Sequence, residues 1–468
     1  MTRISVFGLG PVGLVTAVCF ARKGNHVIGI DLDLDRLEKV RRAEPPFFEP
    51  KLKEYLAETI TNGAFSVLDD ASANVRSDLA YMTVGTPGTE DGGMDLTYVK
   101  NAARVIGQSL RQATRYQLVV VKSTVTPGTA RTVVKPILEG ESRKTAGKDF
   151  GVCSNPEFLR EGNAVHDAEF PDRIIIGSED PEAAMRLESF YKEFHGQSIP
   201  PVVRTTHENA ELIKYANNAF LATKVSFINT VANIAERTPN ADIKAVAAGI
   251  GLDERIGSRF LNAGVGWGGS CFPKDLKALV AFSKTLGYNP GLIDAAIRTN
   301  DQQKLRAIEL ARDALGSLRG KRIAILGLAF KPDTDDMREA VSISLVQGLL
   351  AEGANVTAYD PAAMQNARRI FRNTITYAED PYDCINQADC SIIVTEWDDF
   401  KTISPNEFAK RMRSPVVIDG RRIYDPDRFI EAGIQFSAIG LGPRTSQRGQ
   451  QRTAKPFVHQ SSTPGKKP

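Results

Sequence analysis

Cysteine, histidine and tryptophan are scarce in this chain, at five, five and two among 468 residues. Cys19, Cys153, Cys271, Cys384 and Cys390 make an odd, scattered set without C-x-x-C spacing. That argues against a disulfide framework and against a zinc site, and it fits a reducing, cytoplasmic setting. His26, His166, His195, His207 and His459 are dispersed and suit ordinary core or surface roles, so no metal is expected. No apolar run approaches the ~18–20 residues of a membrane span. Residues 1–4 lead straight into a strand without a charged-then-apolar leader, so neither membrane nor export is expected. Surplus positive charge is missing from the body. Arg444, Arg448, Arg452, Lys455, Lys466 and Lys467 follow Gly440 with no acid among them, and removing these six from the net +3 leaves about −3. Nucleic-acid binding therefore draws no support from charge. Residues 443–468, with Phe457 and Val458 almost the only large apolar side chains, read as a disordered basic tail.

What remains is ordinary globular material, 42% hydrophobic and 25% charged, and too long for one core. Residues 4–7 form a short apolar strand, followed by Gly8-Leu9-Gly10-Pro11-Val12-Gly13 and an apolar helix through Phe20. A G-x-G-x-x-G turn between strand and helix presents backbone N–H groups and a helix N-terminus to a pyrophosphate. A second strand, residues 26–30, ends on Asp31, where an acid accepts hydrogen bonds from the adenosine ribose and repels a 2′-phosphate. NAD is expected over NADP, although Arg36 nearby keeps the alternative in view. The bland reading is a glycine turn that merely packs a helix onto a sheet.

Further strands lead to polar loops: residues 79–84 into Gly85-Thr86-Pro87-Gly88, and 118–121 into Lys122-Ser123-Thr124. Loops at consecutive strand ends are where open α/β sheets bind ligands. In Pro156-Glu157-Phe158-Leu159-Arg160-Glu161-Gly162, a helical turn after the proline would put Glu157 and Glu161 on one face. Each would then raise the other's pKa and suit one as a general base; a solvated acidic turn is the alternative. Residues 206–237 carry the longest helical pattern, free of interior Pro and Gly, with Lys214 and Asn218 four apart. Such a helix can join two domains and offer a dimer surface, or Lys214 is simply solvated.

Residues 264–275 hold four glycines in six positions, then Ser270, Cys271, Lys274 and Asp275. A thiolate nucleophile gains from a neighbouring cation; a buried, inert cysteine after a flexible loop is the alternative. Residues 321–360 replay the opening more loosely, with Gly327, a helix at 343–350 and a strand ending on Asp360, and Lys331 where the second glycine's freedom was. This is a second α/β domain, expected to read a nucleotide diphosphate. Later strands end on Thr395-Glu396-Trp397 and Asp419-Gly420-Arg421-Arg422.

The strings GLGPVG, VGTPGTEDGGMDLTYV, KSTVTPGT, SNPEFLREG, ELIKYANNAFLATKVSFIN, RIGSRFLNAGVGWGGSCFPKD and GLAFKPDTDDMREA, in this order over residues 1–441, resemble the UDP-glucose/GDP-mannose dehydrogenase family. The resemblance implies an α/β architecture of two Rossmann-like doubly wound domains joined by a long central helix, with a helical dimerisation region. It divides the chain into an NAD-binding domain at 1–204, a central domain at 205–302, a UDP-sugar domain at 303–442 and the tail at 443–468. It also implies two successive oxidations at C6 of a nucleotide sugar, each reducing one NAD, in a cytoplasmic homodimer.

Roles follow from the same resemblance. Cys271 would attack the intermediate aldehyde and carry a thiohemiacetal, then a thioester. Asp275 with Lys214 would handle protons and water, Lys214 with Asn218 the oxyanion, and Glu157 or Glu161, beside Thr124, the hydrolysis. NAD would lie against Gly8, Gly10, Val12, Gly13, Asp31, Arg36, Thr86, Thr124, Glu161, Lys274 and Arg338. The nucleotide sugar would meet Glu157, Phe158, Leu159, Arg160, Glu161, Lys214, Asn218, Phe260, Leu261, Asn262, Ala263, Gly264, Gly268, Lys331 and Arg421 or Arg422, with Arg255 reaching a neighbouring subunit's site. RIGSRFLNAG is similar to the UDP-glucose branch, and PEFLREG argues against the N-acetylated sugars. Pro11 and Trp267 stand where the family more often has aromatic residues, and Trp267 leaves the width of the site open. The alternatives are the same chemistry on GDP-mannose or another nucleotide sugar, a two-electron dehydrogenase releasing one NADH, and a sensor that binds without turnover.

Overall fold

The computed structural model describes residues 1–70, 74 and 76–444; the tail expected at 443–468 lies, from residue 445 on, outside them. Two sheets organise the chain. The first runs β3 (Phe65–Leu68), β2 (His26–Ile30), β1 (Arg3–Phe7), β4 (Leu79–Met82), β5 (Gln117–Val121), β6 (Phe150–Ser154), β7 (Ile174–Gly177), β8 (Val202–Thr205). The second runs β11 (Thr376–Tyr377), β10 (Asn355–Tyr359), β9 (Arg322–Leu326), β12 (Cys390–Ile393), β13 (Val416–Asp419), β14 (Gln435–Ala438). Both reverse their order beside the first strand of the repeat, the topological switch point at which doubly wound sheets bind ligands. Among the described residues, neighbouring strands of both sheets pair parallel except β6 with β7. Such strands must be apolar on both faces, and β4, β5, β6, β12 and β13 are buried throughout.

The two halves repeat one device with opposite outcomes. Asp31, after β2, accepts the Leu9 N–H at 2.6 Å; Asp360, after β10, accepts those of Leu328 and Ala329 at 2.7 and 2.9 Å. Each carboxylate fixes the turn after the first strand of its own sheet. Asp31 still lines an open cavity. Asp360 is 1% exposed and also receives the Trp397 indole N–H at 3.1 Å. The second half has no ribose acceptor at the equivalent place.

The central helix, His207–Ala235, starts from Thr206, whose side chain accepts the Asn209 N–H. Its inward positions include Glu211, Lys214, Tyr215, Asn218, Ala222, Ser226 and Asn229, at the three- and four-residue spacing of one helix face. Most of that stripe packs as core, but Lys214 and Asn218 bring charge and an amide into it. No helix among the described residues is long and apolar enough to cross a membrane.

Candidate active site

A cavity of about 1350 Å³ opens between the sheets, lined at one end by Gly8, Gly10, Val12 and Asp31, and at the other by Cys271, Lys274, Asp275 and Glu157. Thr86, Thr124, Leu159, Glu161 and Arg338 also face it, as does Pro11, which opens the helix Pro11–Arg22.

The glycine turn fits a dinucleotide. Space above Gly10 is open, whereas a Cβ on Gly13 would lie 1.8 Å from the Gly8 carbonyl oxygen, so helix and turn approach closer than any side chain allows. Gly13→Ala is expected to destabilise the domain by about 1–3 kcal/mol or more and to weaken NAD binding, read by thermal unfolding and by NAD titration. Arg36 does not offer itself to a 2′-phosphate. It bonds Asp31 at 2.8 Å and Asp33 at 3.2 Å, which leaves this corner net negative and favours the unphosphorylated ribose of NAD.

The cysteine loop is held by amide side chains that sequence reading missed. Asn229 Oδ1 accepts the Gly264 N–H at 2.9 Å, and Gln303 donates to the Gly264 carbonyl at 2.8 Å. Asn300 both accepts from Trp267 N and donates to Trp267 O. The Trp267 indole turns away from the cavity to Ser226, at 3.0 Å, so it does not set the width of the site. Gly268 is required for a different reason, since a Cβ there would meet the Glu339 carbonyl oxygen at 2.2 Å.

Cys271 caps the helix Phe272–Thr285, where the N-terminal dipole favours an anion. Lys274, the cation expected to act on the thiol, instead donates to Asp275 at 2.6 Å, because Asp275 is its immediate neighbour at the helix start. The cations bearing on Cys271 are Lys214, from the central helix, and Arg338. Burial pushes the thiol pKa up, against that attraction. Lys214 and Glu157, each nearly inaccessible, pair at 2.9 Å. Burial alone would lower Lys214 and raise Glu157, but their mutual attraction reverses both, leaving Lys214 raised and Glu157 lowered. Asn218 donates to Asp275 at 2.7 Å.

Glu157 and Glu161 do not share a helical face. Residues 155–160 are extended or irregular: Asn155 continues the ladder by donating to Val121 O, and the Glu157 carboxylate accepts the Leu159 N–H while it holds Lys214. Glu161 sits apart, accepting from Ser270 Oγ at 2.7 Å and Arg338 at 3.2 Å. Burial, then the nearby Asp336, raises its pKa to about 7. Its carboxylate neighbour is thus Asp336, not Glu157. Sequence reading also passed over Lys122, a cavity residue bonded to Asn155 at 3.1 Å whose pKa burial lowers to about 8. Ser270 and Asp336 were missed as well. All three stand inside strings already singled out, and only the fold tells them from their neighbours.

Other expected contacts are spread more widely. The Thr124 carbonyl accepts from Thr86 Oγ1 at 2.8 Å. The Phe158 ring lies under the Arg173 guanidinium, and Arg160 pairs with Asp167. Leu261 and Ala263 are buried, Asn262 is exposed, and Phe260 takes φ +65°. Lys331 is half-buried, its pKa lowered by burial against the pull of Glu161 and Glu49. Arg421 braces the cysteine loop through Gly266 O at 3.2 Å, while Arg422 turns to Asp242 with two bonds of 2.7 and 2.8 Å. Arg255 is exposed and pairs with Asp253.

Residues 2–195, 208–302 and 324–426 match the NAD binding, central and UDP binding domains of the UDP-glucose/GDP-mannose dehydrogenase family. A UDP-glucose 6-dehydrogenase of Bacillus subtilis is 41% identical, over 98% of this chain and 96% of its own. The chain belongs to the UDP-glucose/GDP-mannose dehydrogenase family. A second family member, a UDP-glucose 6-dehydrogenase of Rhizobium meliloti, is 42% identical over 94% of this chain and 99% of its own. The solved UDP-glucose dehydrogenase of Pyrobaculum islandicum, at 40% identity, superposes with a TM-score of 0.87 over 94% of this chain and 98% of that one. For this family member the glycine turn and the cysteine loop thus share one cavity, and a lysine of the central helix pairs with the cavity residue Glu157.

Proposed function

We propose that the chain oxidises C6 of UDP-glucose to the carboxylate of UDP-glucuronate in two NAD-dependent steps, the second through a covalent adduct on Cys271. The observation that carries this reading is the meeting, in one cavity, of Gly8, Gly10 and Val12 with Cys271 and with Glu157, the carboxylate that Lys214 pairs from behind the wall. Residues 1–204 hold NAD, 205–302 carry the cysteine loop, and 303–442 hold the UDP-sugar.

Gly8, Gly10, Val12 and Gly13 cradle the pyrophosphate, and Asp31 takes the ribose hydroxyls. When bound, NAD accepts a hydride in each oxidation. The Lys214 ammonium and the Asn218 amide stand where oxygen becomes negative as the thiol adds to the aldehyde; fixed donors in a dry site lower that barrier more than water does. The covalent adduct keeps the aldehyde from escaping, and loss of its C6 hydride and hydroxyl proton leaves a thioester. Glu157, held ionised by Lys214, then orders the hydrolytic water, with Thr124 at the same wall and Asp275 with Lys274 beside the sulfur. Assays with UDP-glucose, GDP-mannose and UDP-N-acetylmannosamine test the substrate. Two NADH per UDP-glucose are expected, and one NADH, or none while another sugar turns over, contradicts the reading.

A homodimer in the cytoplasm belongs to the same proposal. Phe220, Phe227 and Ile234 recur every seven residues along the central helix and are 66%, 54% and 60% exposed, an apolar stripe that a second copy would cover. Phe220→Glu with Phe227→Glu is expected to convert the dimer to monomer in light scattering. Arg255, exposed and paired with Asp253, would extend toward the partner's site.

A further inference from the structure

Three carboxylates stand near the thiol, and their partners divide them. Glu157 faces Lys214 at 2.9 Å and Asp275 faces Lys274 at 2.6 Å. Glu161 touches no lysine; its Oε1 accepts the Ser270 hydroxyl at 2.7 Å, and the Ser270 oxygen lies 3.5 Å from Cys271 Sγ. With its own proton committed to Glu161, that oxygen is left as the acceptor for the thiol S–H. The backbone on either side is fixed, by the amide side chains on Gly264 and Trp267 and by the helix that begins at Phe272.

We propose that Ser270 relays the thiol proton of Cys271 to Glu161 as the sulfur adds to the C6 aldehyde. This rests on the covalent reading above. The sulfur pair forms the C–S bond and the carbonyl π pair moves onto oxygen. The thiol proton passes to Ser270 Oγ, whose own proton passes to Glu161 Oε1, so no oxidant or further reactant is needed. The groups facing Glu161 are Asp336, Arg338 and Lys331; those facing the sulfur are Lys214, Glu157, Asp275 and Arg338. Burial and Asp336 hold Glu161 at about 7, the range in which a carboxylate is a useful base at neutral pH. A base works when ionised, so its rate limb rises with pH through that value.

The test is single-turnover NADH formation by the full-length enzyme from the C6 aldehyde of UDP-glucose, followed by stopped-flow absorbance over a range of pH. The wild-type rate should climb to a plateau above about 7. Ser270→Ala, Ser270→Gly and Glu161→Gln should each be slower by about 10²-fold or more and lose that climb, while Ser270→Thr, which keeps the hydroxyl, should retain it. A slower Ser270→Ala or Ser270→Gly enzyme with the wild-type climb intact would assign Ser270 a packing role only and overturn the relay. If Cys271→Ser still released two NADH per UDP-glucose, the covalent reading itself would fail, and the relay with it.

Discussion

Cys271→Ser loses steady-state NADH formation from UDP-glucose by about 10³-fold or more, on the expectation that the sulfur is the nucleophile. Serine keeps nearly the same volume at the start of the helix Phe272–Thr285, so folding should be spared and the loss is chemical. A serine hydroxyl has far too high a pKa to add readily to the aldehyde without the thiol's intrinsic nucleophilicity. The first oxidation does not need the sulfur, so the variant should stall after one NADH per sugar at most. Quenched turnover with chromatography of the sugar product checks this: aldehyde-level UDP-sugar is expected and UDP-glucuronate is not. Unimpaired formation of UDP-glucuronate would return Cys271 to the class of inert buried thiols.

Lys214→Met should damage both stability and catalysis, for one reason. Glu157 would be left with its carboxylate buried and without its cation, and breaking a buried pair from one side costs about 3–5 kcal/mol. The sign of the pH dependence is diagnostic. In the wild type Glu157 is held below its ordinary range by Lys214, so the pair stabilises at neutral pH and that contribution fades as acid protonates the carboxylate. In Lys214→Met, burial is opposed only by the Leu159 N–H and the weaker pull of Lys122, and Glu157 is expected to move above its unfolded value; stability then falls as pH rises from about 4.3, the unfolded carboxylate value, toward neutral. Thermal unfolding across that range should show the wild type losing stability in mild acid and the variant gaining it. Adding Glu157→Gln should recover much of the stability but not turnover, since the oxyanion donor and the ionised carboxylate are both gone. A Lys214→Met protein as active as the wild type would remove Lys214 from the chemistry.

The features legible in the sequence are those written locally. The Gly8–Gly13 turn, the acid ending β2 and the repeat of both at Gly327 and Asp360 follow from short-range pattern, and the central helix extends over His207–Ala235 as its uninterrupted spacing predicts. What stayed hidden depends on partners distant in the chain. A helical turn after Pro156 was a fair local reading, yet Lys214, 57 residues away, captures Glu157 and the backbone follows. Local spacing points to Lys274, three residues on, as the cation for Cys271, whereas Lys214 of the central helix and Arg338 act on it. Asn229, Asn300 and Gln303 are ordinary helix residues until the cysteine loop is laid across them. Trp267 could not be placed from its neighbours, because what turns it inward is Ser226 of the central helix, at 3.0 Å.

The covalent step is tested most directly by acid-quenching the wild-type enzyme during turnover with UDP-glucose and NAD, then measuring peptide masses. The account predicts a UDP-glucuronyl adduct on the peptide that contains Cys271, released by hydroxylamine as a thioester should be. Full turnover with that peptide unmodified throughout would contradict it.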